Sequence, residues 1–277
     1  MAEAAVAPGP LRPWRVYARL LGAEVRSTLE YPASFAIGVT ASMLLTALDL
    51  VAIVAVFSNV DELVGWTVGE VLLLHGLACT GFYLADLVVG QLDELPDLVR
   101  TGRLDVLLLR PRRAMPQIIA GDVDLRSLGK VAQGVAILVT GLVMADVAPS
   151  SPAVAARLVV GVTGAVGIYV AVWIATTSIS FWLIDSREVS SAFTYGGREM
   201  STYPLGVYGP WLRQLARFVV PLAFTAYYPA LGLLGRDDPF GGLGALAWVG
   251  PAVGAVALVV ALTIWRVGIR SYRSSGA

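Results

Sequence analysis

Five ionisable side chains interrupt long apolar stretches of this 277-residue sequence: Asp49, His75, Asp86, Arg198 and Glu199. A charge at the centre of a bilayer costs about 2.5–3.5 kcal/mol on insertion scales, so such residues face protein or water and mark a pathway, a proton relay or a helix contact. At 1.5 Å per residue, and measured from the inner end of each apolar stretch, Asp49 stands roughly 24 Å along the first and His75 roughly 22 Å along the second. Adjacent antiparallel helices would carry them to similar depth. Two chemistries fit such a pair: a translocation or proton-coupled site, and a hydrogen bond that locks two membrane helices together. The second is preferred, because polar pairs commonly join membrane helices. Asp86 falls near the inner end of the second stretch, where it is expected to pair with an arginine of the following loop in a structural role. Arg198 and Glu199 lie mid-membrane if their helix crosses, and are ordinary loop charges if it does not.

Soluble catalytic signatures are missing. The sequence has no G-x-x-x-x-G-K-[ST], no H-E-x-x-H and no G-x-S-x-G, so it carries no phosphate-binding loop, metalloprotease helix or nucleophile elbow. A single histidine excludes a zinc site with several imidazoles in one chain. The lone Cys79 sits in an apolar stretch, which leaves no disulfide framework. The chain cannot hydrolyse ATP alone and is expected to hold no cofactor. If it pumps, ATP and magnesium belong to another subunit.

The elements that must position these residues follow from composition. Hydrophobic residues make up 57% of the sequence and charged residues 14%, with mean hydropathy +0.73. Ordinary soluble domains are about 45–50% apolar and about 25% charged, so a bilayer must take up the excess. Residues 1–10 read as a disordered lead-in, without the pattern of a signal peptide. Residues 11–31 read as an interfacial amphipathic helix, with Trp14, Tyr17, Leu21 and Val25 on one side and Arg12, Arg15, Arg19 and Arg26 on another. Spans are expected over about 33–60, 66–90, 131–147, 153–184 and 243–265, each near the ~20 residues that crossing needs. Trp66 is expected to anchor the second span at the membrane interface.

Positive charge orients the spans. Loop 91–130 carries seven basic residues, four arginines precede the first span and Arg266, Arg270 and Arg273 follow the last. Both termini are therefore expected in the cytoplasm. Residues 185–238 admit two paths. In one, 185–217 is a cytoplasmic loop and 218–234 spans. In the other, a polar helix over about 188–208 crosses and the proline-rich 219–234 dips back as a re-entrant hairpin, which is allowed only where protein or water satisfies its backbone. Either path makes six crossings of an all-α membrane protein, with 11–277 as a single transmembrane domain. No internal repeat is visible, which counts against a secondary carrier built from inverted halves.

Loop 91–130 is the most informative stretch. Residues 95–100 read as a short helix with Pro96 in its first turn and Gly102 as its stop. Residues 103–111, RLDVLLLRP, then form an apolar run framed by charges. So many leucines need cover, from the bundle or from a partner. The segment TGRLDVLLLRPRR, residues 101–113, resembles the G-x-L-D-x-x-L-L-R-P signature of bacterial ABC type-2 permeases of the uncharacterised export group. Residues 203–235, from Tyr203-Pro204 to Gly235, resemble that group's second signature before the last helix.

The resemblance implies a six-helix permease with a cytoplasmic coupling helix between its second and third spans, docked on a separate ATP-binding-cassette ATPase. It places the coupling element over 95–111, carried by Leu95, Leu98, Arg100, Gly102, Arg103, Leu104, Asp105, Leu108, Arg110 and Pro111. It also favours the re-entrant path, and implies a second permease subunit, identical or related, in a bacterial cell membrane, with no nucleic-acid partner. Export of an amphipathic compound is the expected activity. An ion-coupled carrier using Asp49 and His75, or a membrane enzyme acting on lipid, are the alternatives.

Overall fold

The computed structural model describes residues 32–120, 126–148, 151–183, 185–242 and 244–273. The expected lead-in and interfacial helix, residues 1–31, lie outside them. Eleven α-helices and no strand occur among the described residues: α1 Pro32–Phe57, α2 Val68–Val89, α3 Leu95–Arg100, α4 Arg103–Leu108, α5 Ala114–Ile119, α6 Arg126–Met144, α7 Pro152–Thr177, α8 Arg187–Ser201, α9 Pro210–Gln214, α10 Tyr227–Leu234 and α11 Gly250–Ser271. Four stretches among them are long and apolar enough to cross a membrane: Val68–Arg100, Ser127–Met144, Pro152–Phe181 and Gly250–Ser271. The pair Pro210–Val219 and Leu222–Leu234, bent by 74°, makes a fifth if counted as one span. The protein is a multi-pass, all-helical membrane protein.

Helix α2 is the hub. Leu73, Leu74, Leu77 and Ala78 on it are fully buried, and it packs against α6, α7, α8 and α10. In lipid the apolar surface gives no drive for helices to associate, so backbones must approach closely for dispersion contacts to form. Glycines permit this at two seams. A Cβ on Gly69 would stand 2.6 Å from the Met144 carbonyl oxygen, and one on Gly141 would stand 2.6 Å from the Leu72 carbonyl carbon. Gly76 and Gly134, each seven residues from one of these, continue the α2–α6 seam against Leu138 and Cys79–Thr80. On the other side of the hub, Gly164 and Gly167 of α7 meet Gly250 and Gly254 of α11.

The ends of the bundle differ in charge. Helices α3 to α5, Lys130, Arg187 and Arg270 gather at what we call the basic end. Glu70 and Arg236, joined at 2.9 Å, mark the opposite, far end. Helix α2 starts at the far end, where the Glu70 side chain accepts the Thr67 N–H at 2.9 Å.

Several expectations are corrected. The third helix begins at Arg126 and not at 131, so Lys130 is a helical residue and not a loop residue. The last helix is α11, Gly250–Ser271, and not 243–265. Pro251 occupies its first turn, where the missing N–H costs nothing, and Arg266 and Arg270 extend its C-terminal turns, where a cation complements the helix dipole. Trp66 is 4% exposed and does not sit as a lipid-facing anchor. It packs on Tyr227, 5.8 Å between ring centroids, beneath the Arg236 guanidinium.

Candidate functional site

The loop that follows α2 folds into a compact surface at the basic end. A tight turn, Gly90–Glu94, leads into α3, whose first turn carries Pro96. Leu95, Pro96, Leu98 and Val99 are buried against the bundle. Gly102 then takes φ +69°, the left-handed conformation that ends α3 and starts α4. A side chain at this position costs roughly 1–2 kcal/mol. Gly102→Val is accordingly expected to destabilise the α3–α4 corner by that amount, measurable as faster amide exchange over 95–110 with the rest of the bundle unchanged.

Helix α4 divides its leucines. Leu104 is fully buried, while Val106 is 58% and Leu109 86% exposed, with Leu108 exposed beside them. Arg103, Arg110, Pro111, Arg112 and Arg113 are also exposed around this apolar tip. Gln117 of α5 closes the loop by donating to the carbonyls of Leu107 and Arg112, both at 3.1 Å. Asp105 is half-buried near the Tyr272 phenol, whose pKa is pushed up by burial and by that carboxylate. The tip is an anchored apolar knob in a basic collar.

Two carboxylates fasten this loop to the bundle. Asp93 accepts from the Trp173 indole N–H at 2.7 Å and from the Tyr195 hydroxyl at 2.7 Å, joining α7 and α8. Asp97 pairs with Arg187 at the start of α8 and with Arg100 at 3.2 Å. The second pair of contacts is solvent-exposed and worth little. Of the first pair, the bond from the fully buried Trp173 is the better shielded, and a hydrogen bond to a charged group contributes about 1.5–3 kcal/mol.

Above Asp93 lies an aromatic and ionic core. The Phe82 ring stacks on Trp173 at 5.0 Å and meets Tyr169 at 5.3 Å and Tyr195 at 5.5 Å edge-on. One turn beyond Tyr195, Arg198 donates to the Tyr83 hydroxyl at 2.9 Å, pairs with Glu199 and lies 3.7 Å from the Asp49 carboxylate. Arg198, Glu199 and Asp49 are thus gathered, with the guanidinium over the Phe82 ring.

The expected Asp49–His75 hydrogen bond is absent among the described residues. Asp49 turns to Arg198, and both ring nitrogens of His75, which is 2% exposed, have no hydrogen-bond partner. The stronger cation takes the carboxylate, since a guanidinium is charged at any physiological pH and a neutral imidazole is not. Asp86 also finds a different partner, Lys130 at 3.0 Å with Ser127 at 3.0 Å, and not a loop arginine. The sequence's only lysine is one helical turn from Ser127 on α6, facing α2.

Asp93, Trp173, Tyr195 and Tyr83 were not among the expected site residues. The four-residue spacing of Tyr169 and Trp173 on one helix face was the available signal. No group of three or more histidine, cysteine, aspartate or glutamate residues suited to a metal ion occurs among the described residues.

A family model described as ABC-2 family transporter protein matches residues 43–276. The chain belongs to the ABC-2 transporter family. The match covers every helix from the second half of α1 to α11, and both segments that carried the resemblance. Members of the ABC-2 family are membrane components of transporters and normally work with an ATP-binding-cassette ATPase. No curated protein and no solved structure matches the chain.

Proposed function

We propose that this ABC-2 chain is the permease subunit of an exporter, docked through the α4 tip on a separate ATPase that binds ATP and magnesium. The observation that carries the reading is the exposed pair Val106 and Leu109, on and just after a helix pinned by buried Leu104. An apolar knob within an arginine collar fits a groove with an acidic rim, the geometry of a protein contact. The basic end then faces the cytoplasm of a bacterial cell, as the positive-inside bias requires.

The ends that each segment touches support a reading of six crossings. Helix α8 starts beside Asp97, and Gly206 beyond its end packs on Val64 at the far end. The bent segment 210–234 then leaves Arg236 on Glu70 and the Gly65 carbonyl, again at the far end. Crossing once within 210–234 would place Arg236 at the wrong end, so this segment is read as a re-entrant hairpin. The crossings are α1, α2, α6, α7, the polar α8 and α11, with both termini cytoplasmic.

Exposed Glu199 and half-exposed Asp49 lie on the α1–α8 side. Charged groups at that depth avoid hydrocarbon, which supports a second permease subunit against this face, with the pathway between the two. Closure of two ATPase subunits would push on the tips, and Asp93 would pass the displacement to α7 and α8, rocking the bundle between inward-open and outward-open forms. The cargo is read as an amphipathic compound.

The test is co-expression with an ATP-binding-cassette ATPase encoded beside this chain. The wild-type chain is expected to co-purify with the ATPase and raise its turnover. Val106→Asp with Leu109→Asp is expected to abolish both while leaving the melting temperature of the isolated chain unchanged. Full stimulation by the double variant refutes docking at this tip.

A further inference from the structure

A second, smaller site lies at the far end, away from the docking tip. A polar pocket of about 190 Å³ is enclosed by α7, the end of α10, residues 235–242 and the turn Gly244–Trp248. Its inner basic group is Arg157. The guanidinium lies 5.7 Å from the centre of the Trp248 ring, and the buried Nε has no hydrogen-bond partner. No ion pair involving Arg157 occurs among the described residues.

The other charges of the pocket, apart from Asp237, are spoken for. Arg236 is held by Glu70 and the Gly65 carbonyl, all at 2.9 Å. Asp238 accepts from Arg217 at 3.2 Å, from the Tyr227 hydroxyl at 3.0 Å and from the N–H groups of Phe240 and Gly242. Asp237 alone remains, exposed at the rim and without a hydrogen bond or ion pair among the described residues. The pocket therefore offers one uncommitted cation inside and one uncommitted carboxylate outside.

Arg157 stands five residues into α7, roughly 8 Å from the start of a helix long and apolar enough to cross a membrane. Trp248 beside it is of the residue type enriched at membrane interfaces. A guanidinium with free N–H groups matches a phosphate through paired charge-assisted hydrogen bonds. A pocket of about 190 Å³ is well above the ~10–15 Å³ that a single water needs on the same measure, and has room for a phosphate with a short substituent.

We infer that this pocket binds the headgroup of a zwitterionic phospholipid, with Arg157 on the phosphate and Asp237 on the ammonium group. The site does not depend on the direction of transport or on the ATPase. Its test is calorimetric titration of the full-length chain in detergent with dihexanoyl phosphatidylethanolamine, dihexanoyl phosphatidylglycerol and inorganic phosphate. Phosphatidylethanolamine should bind saturably and most tightly. Arg157→Gln should weaken it about tenfold, in line with one lost charge-assisted bond. Asp237→Asn, at an exposed position that does not endanger folding, should weaken phosphatidylethanolamine and leave phosphatidylglycerol unchanged. Equal binding by Arg157→Gln and wild type overturns the phosphate assignment. Inorganic phosphate binding as tightly as the lipid overturns the lipid source. An unaltered lipid preference in Asp237→Asn overturns the ammonium contact.

Discussion

Gly141→Leu is expected to break the α2–α6 seam and with it the bundle. The first atom of any side chain at 141 already overlaps the backbone of Leu72 and Leu73, which cannot move aside as a side-chain tip can. Overpacking in a tight core costs about 1–3 kcal/mol, and a backbone-to-backbone clash belongs at the upper limit. The variant should elute as aggregate on size exclusion in mild detergent, or melt well below the wild type. Gly196→Ala is the control. A Cβ there meets nothing within 4 Å, and alanine is a better helix former than glycine by about 1 kcal/mol. A monodisperse Gly141→Leu protein with wild-type melting contradicts the packing described.

Asp93→Ala is expected to separate docking from transport. The carboxylate is shared by Trp173 of α7 and Tyr195 of α8, and its loss leaves the buried Trp173 N–H unpaired, at about 1–3 kcal/mol, besides freeing the more exposed Tyr195 hydroxyl. The exposed tip around Leu109 is untouched. The variant should still bind the ATPase, but a reconstituted complex should hydrolyse ATP with little coupled transport. Asp93→Asn, which keeps one acceptor oxygen, should fall between. Loss of binding and transport in equal proportion would instead make Asp93 a residue of the tip's own fold.

The helical content and the α3–α4 corner were legible because their signals are local. Apolar runs of ~20 residues can be satisfied only by helices in a bilayer, and Pro96 and Gly102 bracket α3 through backbone geometry that needs no tertiary information. Pairings across helices were not legible. Asp86 was expected to meet an arginine because arginines crowd the loop, yet Lys130 sits on the facing side of α6. Asp49 and His75 matched in depth, but depth does not fix the angle around each helix, and Arg198 on a third helix takes the carboxylate. Asp93 looked like one loop charge among many, and only the fold brings Trp173 and Tyr195, 80 and 102 residues later, to its two oxygens. Trp66 illustrates the same limit, since an interfacial tryptophan and one buried under Tyr227 have identical flanking sequence.

The most direct test of docking at the tip uses the chain's cysteine content. Cys79 is the only cysteine and is fully buried, so Leu109→Cys introduces the single accessible thiol. In membranes containing the cognate ATPase, a short thiol-to-amine cross-linker should join Leu109→Cys to the ATPase, with a yield that changes when ATP is added. Glu62→Cys, on the opposite side of the membrane in this account, should give no such product. Cross-linking of Glu62→Cys to the ATPase, with Leu109→Cys left free, would contradict both the docking surface and the orientation.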